Sequence, residues 1–365
     1  MRKFYFLSTF VILLATTSIV ISCGSDDKEN YTEIPDESPV VLDLDAVPYP
    51  KLSDYNFFEG EMKNLEPVFR VIPYDLNSTL FTDYAKKKRF IWMPAGVKAS
   101  YESDSSPLNF PTGTVLIKNF YYDNLLPDNT TKIIETRLMI KKADGWMFAN
   151  YVWNDEQTEA VYNVLDATQQ LTWNENGIEK STEYQIPALD QCLTCHGSNE
   201  VATPIGPKPQ NINKLFNYGE GTQNQLQKWI NTGYLENNLP QQIVSTVDWK
   251  DTSLPLDIRA KSYLDINCAH CHTPGGFCDY TDMNFAFNAS NDLTNLGKCI
   301  EPQDFVVGNE VYLLAPGNSD ISLVYTRMKS ESMEMRMPLL GRTIRDEEGV
   351  ELIKAWINSM PRDCE

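Results

Sequence analysis

The chain has 365 residues, 42% of them hydrophobic, enough for two or three domains with real cores, and this excludes a small fold held only by disulfide staples. Its 50 acidic and 31 basic side chains give a net charge of −19, which argues against nucleic acid and against an anionic membrane surface, and suits a basic partner or plain solubility.

At the N-terminus, Arg2 and Lys3 precede an apolar run from Phe10 to Val20 and then Ile21-Ser22-Cys23. This order reads as a secretory signal, residues 1–22, ending in a lipoprotein cleavage box that makes Cys23 the lipidated first residue. A transmembrane anchor is the alternative, but the apolar run is short for one. A polar tether over 23–41 has no pattern of its own. From 42 to 250 the chain reads as β-rich. Tyr84 to Arg89 is a basic turn feeding Phe90-Ile91-Trp92, and Phe110–Tyr122, Lys132–Lys142 and Trp146–Trp153 are strand-like in length and in β-branched or aromatic content. The turn signal Asp144-Gly145 separates the last two, so an antiparallel sheet is expected.

Next comes Cys192-Leu193-Thr194-Cys195-His196, echoed by Cys268-Ala269-His270-Cys271-His272. Both read C-x-x-C-H, the attachment pattern of a c-type haem. Two thiols two residues apart reach the two vinyl groups of one porphyrin, and the adjoining His reaches its iron. A four-Cys zinc site or two structural disulfides are the alternatives, but zinc does not require a His directly after each second Cys. The cofactors expected are therefore two covalently bound haem c groups, with His196 and His272 as iron ligands. Attachment outside the cytoplasm agrees with the export signal and permits a disulfide, for which Cys278 with Cys299 is the preferred pair and Cys364 the thiol left over.

Between and after the motifs, helices are expected over Gln223–Leu235, Leu256–Asn267 and Asp346–Met360, the last with an apolar stripe through Val350, Ile353, Trp356 and Ile357. The first haem has no obvious local sixth ligand. Met139, Met147 or an open face are the choices.

Several of these residues carry resemblances. Residues 251–365 resemble a small class I cytochrome c, in which a Met followed by Pro supplies the sixth ligand. This implies Met337 for the second haem, with Met333 and Met335 as competitors. Gly206-Pro207 resembles the loop of the same class whose Pro carbonyl accepts the proximal imidazole N–H, which implies Pro207 for His196. Phe110-x-x-Gly113-Thr114-Val115-x-x-Lys118, Gly145-Trp146-x-Phe148 and the first haem motif resemble the cytochrome c′-β group and the green haem cytochromes that oxidise hydroxylamine. In the latter a strand Lys is bonded to the porphyrin edge, and Lys118 is the matching position. By strand alternation Lys118 shares a face with Leu116 and Phe120. An outward, solvated Lys is the plainer alternative.

Over nearly its mature length the chain is similar to a functionally uncharacterised family of two-haem c-type cytochrome lipoproteins, through Pro73-Tyr74-Asp75-Leu76-Asn77, Phe81-x-Asp83, Tyr151-Val152-Trp153-Asn154 and Tyr263 to His272. The expectation is an α+β multidomain chain, an antiparallel β-rich haem domain over 42–250 followed by an all-α cytochrome c-like domain over 251–365. It would be an exported dihaem lipoprotein of the outer membrane, facing the periplasm or cell surface. It would carry electrons between a redox partner, such as an extracytoplasmic dehydrogenase, and another cytochrome, touching the membrane only through its lipid anchor. A haem oxidoreductase or gas-binding protein acting on a small nitrogen or oxygen species is the rival. A sugar-binding or adhesive β-domain stapled by haems ranks third.

Overall fold

The computed structural model describes residues 37–303 and 308–364. The signal segment, Cys23 and most of the tether lie outside the described residues. No helix among the described residues is long and apolar enough to cross a membrane.

The fold is mixed α and β, built on an eight-stranded antiparallel sheet. Its strands are β1 (Ile72–Tyr74), β2 (Lys86–Trp92), β3 (Val115–Leu125), β4 (Thr130–Lys142), β5 (Gly145–Trp153), β6 (Ala160–Tyr162), β7 (Ala167–Glu175) and β8 (Ile178–Ile186). The order β8-β7-β3-β4-β5-β6 runs across it, and β2 pairs with both β1 and the first part of β3. The predicted strands are present, with β3 starting later than Phe110. The pair β7–β8 was not anticipated. Its signal is Asn176-Gly177, both in the left-handed region (φ 51° and 86°), the two-residue turn whose twist matches a hairpin.

Alternation along the strands gives the sheet two different faces. On one, Val115, Ile117, Leu138, Ile140, Tyr151 and Trp153 pack against the N-terminal segment through Leu52, Tyr55 and Phe57. On the other, Leu116, Met139 and Ile91 meet Tyr74, Leu226 and Trp229, while Phe120 and Tyr122 meet Trp173 and Tyr184. This second face looks onto the C-terminal half of the chain.

That half carries α1 (Cys192–His196), α2 (Gln225–Asn231), α3 (Leu256–Asn267), α4 (Leu323–Lys329) and α5 (Glu347–Ser359). Asp346 caps α5 by accepting from Gly349 N at 3.0 Å, and Tyr263, Leu264, Ile353 and Trp356 form the core between α3 and α5. Trp356 Nε1 also donates to Asp257 at 3.0 Å.

The β-rich and helical parts do not separate. Described residues from Ser38 onward form one compact unit. Asp83, buried at the sheet, accepts from Thr343 N (2.7 Å), Ile344 N (3.1 Å) and Thr343 Oγ1 (3.0 Å), and Phe81 N donates to Asn267 Oδ1 (2.8 Å).

The disulfide expectation is corrected. Cys299 is bonded to Cys364, and Cys278 is buried and free. Cys278 is held beside the second motif by its N–H to Cys271 O (3.0 Å), whereas Lys298 pairs with Asp363 and draws the chain end to Cys299.

Candidate functional site

The first motif follows β8 directly. A short 3₁₀ turn, Leu189–Gln191, runs into the single helical turn α1, so Cys192, Cys195 and His196 are presented together. They border a recess of about 1230 Å³, including its mouth, whose floor is the second face of the sheet. Leu116, Met139 and Phe148 line it, and the Phe148 and His196 rings lie 5.2 Å apart. Met147 packs on the opposite face, so of the two candidate methionines only Met139 borders this recess.

His196 Nδ1 lies 2.9 Å from Thr203 O. A carbonyl can only accept, so Nδ1 carries the proton and Nε2 is the free nitrogen. The Pro207 expectation is corrected here. Pro207 lines the recess, but its carbonyl accepts from Leu108 N at 3.5 Å. The reason is a tight hairpin in which Gly197–Ser198 pairs with Val201–Ala202. It returns the chain at once, so that Thr203 N donates to His196 O (2.6 Å) and Thr203 O faces the ring. Burial pushes the imidazole down to about 3, so it is neutral at ordinary pH.

Lys118 borders the same recess, on the face expected for it, with Nζ 4.8 Å from the Phe120 ring centre. Burial holds its amine well below the ordinary lysine range, and Arg89, Lys87 and Arg137 push it the same way. Arg137, also at the recess, stacks on Phe120 at 4.5 Å and is gripped by the fully buried Glu135 through Nε (2.9 Å) and Nη2 (2.5 Å). Tyr184 donates to the same carboxylate at 2.6 Å. Sequence reading missed this Glu135–Arg137–Tyr184 group, although the strand parity that places Met139 on this face places Arg137 there too. No Asp or Glu lines the recess among the described residues.

The second motif begins where α3 ends, with Cys268 as its C-terminal cap. His272 Nδ1 lies 3.0 Å from Thr281 Oγ1, which itself donates to Cys278 O at 2.8 Å. The hydroxyl proton is therefore committed, Thr281 accepts from Nδ1–H, and Nε2 is again free. Burial pushes His272 down to about 4. A recess of about 1100 Å³, including its mouth, is lined by His272, Met337, Met283, Met328, Leu323 and Phe285 among others. Met337 is the one residue of the Met333, Met335, Met337 trio that borders it. Met333 is 74% exposed. Buried Arg342 holds that loop, donating to the carbonyls of Met337 (3.1 Å), Met328 (3.2 Å) and Ser330 (2.8 Å).

The two recesses share a wall. Cys195, His270, Pro338 and Leu340 border both. Cys195 Sγ, a His270 ring nitrogen and Cys271 Sγ lie within 4.8 Å of one another, and Cys271 Sγ donates to Thr194 O at 3.5 Å. The contact between the two sulfurs lowers the Cys195 thiol and raises the Cys271 thiol.

No family model, curated protein or solved structure matches this chain.

Proposed function

We propose that the protein is a dihaem c-type cytochrome, an exported lipoprotein anchored through Cys23 at the outer membrane, which carries single electrons between an extracytoplasmic dehydrogenase and another cytochrome. Nucleic acid has no part in it, and the membrane is met only through the lipid. The fold reading that goes with this is a β-sheet haem site followed by a cytochrome c-like helical haem site, as in the two-haem lipoprotein family that the sequence resembles.

The residues fit that cofactor on an observation common to both motifs. Each motif His has Nδ1–H tied to an oxygen, Thr203 O or Thr281 Oγ1, and keeps Nε2 for iron beside its pair of thiols and a recess. That shared arrangement carries the proposal, since a zinc site or a pair of disulfides would not require it twice. Bound haem supplies a one-electron iron couple. Cys192 and Cys195 would hold the first group, and Cys268 and Cys271 the second. His196 and His272 would ligate iron, and Met337, which lines the same recess as His272, would be a further ligand to the second group. The largely apolar linings of the two recesses, Leu116, Met139 and Phe148 in one and Leu323, Met328 and Phe285 in the other, would limit water at a bound haem, which suits a carrier.

A second reading, binding or oxidation of a small nitrogen or oxygen species at the first haem, is favoured by one observation. The Lys118 amine, held well below its ordinary value by burial, borders the His196 recess and could meet the porphyrin or a ligand there. Against catalysis stands the recess wall, which offers no carboxylate to move protons.

Optical spectra of the mature protein, oxidised and reduced, with and without nitric oxide, test the proposal. Two low-spin c-type haems per chain that ignore nitric oxide are expected. A high-spin or nitric-oxide-binding haem moves the second reading ahead, and absence of haem overturns both.

A further inference from the structure

The two motifs are 72 positions apart if counted from His196 to Cys268, yet the fold brings their second cysteines together. Cys195 Sγ and Cys271 Sγ lie within 4.8 Å, with a His270 nitrogen inside the same limit. The backbone carbonyl of Thr194, next to Cys195 in the chain, accepts from Cys271 Sγ, and the two recesses share Cys195, His270, Pro338 and Leu340 as common wall. His270 is the histidine that neither motif uses for its iron, and its Nδ1 is buried with no hydrogen-bond partner among the described residues.

We infer that Cys195 and Cys271 hold the two haems rim to rim, with His270 packed at their junction, so that the two sites behave as one coupled pair. This rests on the dihaem reading. In a c-type haem each thioether sulfur is bonded to a substituent at the macrocycle rim. Proximity of two sulfurs from different motifs is therefore proximity of two rims. Nothing in the covalent pattern demands it: Cys192 and Cys268 could equally have faced one another, or the recesses could have opened on opposite sides of the sheet. The junction is also poor in water-exposed surface, since Cys195, His270 and Cys271 are all at least partly buried, so a change of charge at one iron is felt at the other with little screening.

His270 is a positioning residue in this scheme. An imidazole with an unpaired buried nitrogen is costly unless something at the junction uses it. The same three side chains also form a donor set that zinc accepts, two thiolates and an imidazole. Attachment of haem uses up both sulfurs as thioethers, so the two outcomes exclude each other.

The test is electron paramagnetic resonance on the mature protein, alongside a haem count per chain and a zinc analysis. Partial reduction converts one low-spin iron to its diamagnetic ferrous form. If the rims meet, the fully oxidised spectrum is broadened by spin interaction, and the remaining ferric signal sharpens and gains intensity on half-reduction. A His270→Gln variant is expected to keep two haems per chain and to shift the midpoint potentials of both, which a packing role at one site alone would not do. Two haems whose oxidised spectrum is the simple sum of its parts, with half-reduction only deleting a component, overturns the inference and leaves the dihaem reading standing. Fewer than two haems per chain, or stoichiometric zinc, overturns both.

Discussion

Thr281 fixes the tautomer of His272 because its own proton is already given to Cys278 O, leaving only a lone pair for the imidazole N–H. Replacing it by valine keeps the shape and removes the acceptor. A buried Nδ1–H without a partner costs about 1–3 kcal/mol, and a ligand His that loses its acceptor is less basic toward iron. Thr281→Val is therefore expected to lower stability by that order and, on the proposed dihaem reading, to raise the reduction potential of the second haem, read by a spectroscopic titration; an unchanged potential contradicts the assigned bond. The corresponding group on His196 is a backbone carbonyl, which no substitution removes. This explains why Thr203 was illegible in the sequence: any residue can accept there, and the selection is made by the hairpin at Gly197–Ala202 and not by residue type. Pro207 was named from a loop resemblance and sits at the recess wall without that role. The motif residues themselves, Cys192, Cys195, His196, Cys268, Cys271 and His272, stand out in the sequence by their spacing, and the structure places each set beside a recess.

At the scale of elements, strands and helices with a strong period were read well: Leu256–Asn267 has the predicted bounds, and the stripe before Met360 is α5. The β7–β8 hairpin was missed because its strands are polar, with residues such as Gln169, Gln170, Glu179 and Lys180 masking the alternation that Leu171, Trp173, Tyr184 and Ile186 carry on the buried side. Disulfide pairing was illegible for a different reason: with Cys23 set aside as the lipidation site the sequence suggests, Cys278, Cys299 and Cys364 allow three pairings, and only the placement of Cys364 beside Cys299 selects one. The bond closes a loop between positions 65 apart. By chain entropy such a closure contributes about 4 kcal/mol, native strain aside. Cys364→Ser is expected to lower the urea midpoint accordingly, while Cys278→Ser leaves it within a much smaller range. The reverse ranking would mean that Cys278 takes part in the bond after all.

The junction between sheet and helices makes the molecule one unit, and Asp83 is its buried clamp. Burial, the largest influence, raises its carboxyl above 3.8 against the donors Ile344 N and Thr343 N. The native state therefore holds this proton to higher pH than the unfolded chain does. The group's contribution is full below pH 3.8 and is lost as pH rises through the raised value. Asn has no such titration. Asp83→Asn keeps Oδ1 for the two backbone N–H groups and puts an NH2 in place of the Oδ2 that accepts from Thr343 Oγ1, a loss of about 0.5–1.5 kcal/mol. The gap from the unsubstituted protein is expected to be larger at pH 4 than at pH 7 in urea denaturation, and a gap that grows toward neutrality contradicts the raised carboxyl.

Charge works on the largest scale. Of the cations, Arg89 is turned inward with Asp75, and Lys118 and Arg137 face the first recess, so these three do little to offset the acidic exterior that a net charge of −19 implies. Such a field reaches beyond contact distance and is screened within about 10 Å at 0.1 M salt. Electron exchange with a basic redox protein is then expected to slow as salt is added from a few millimolar to several hundred. The fall should be about tenfold or more, because steering acts on the encounter and not on the docked pair. Exchange with a small anionic oxidant is expected to quicken over the same range, since salt relieves repulsion. Stopped-flow rates against ionic strength with one probe of each sign measure both slopes. Opposite slopes assign the effect to the protein's field, whereas parallel slopes would place it in the proposed haem sites and remove the argument for a basic partner.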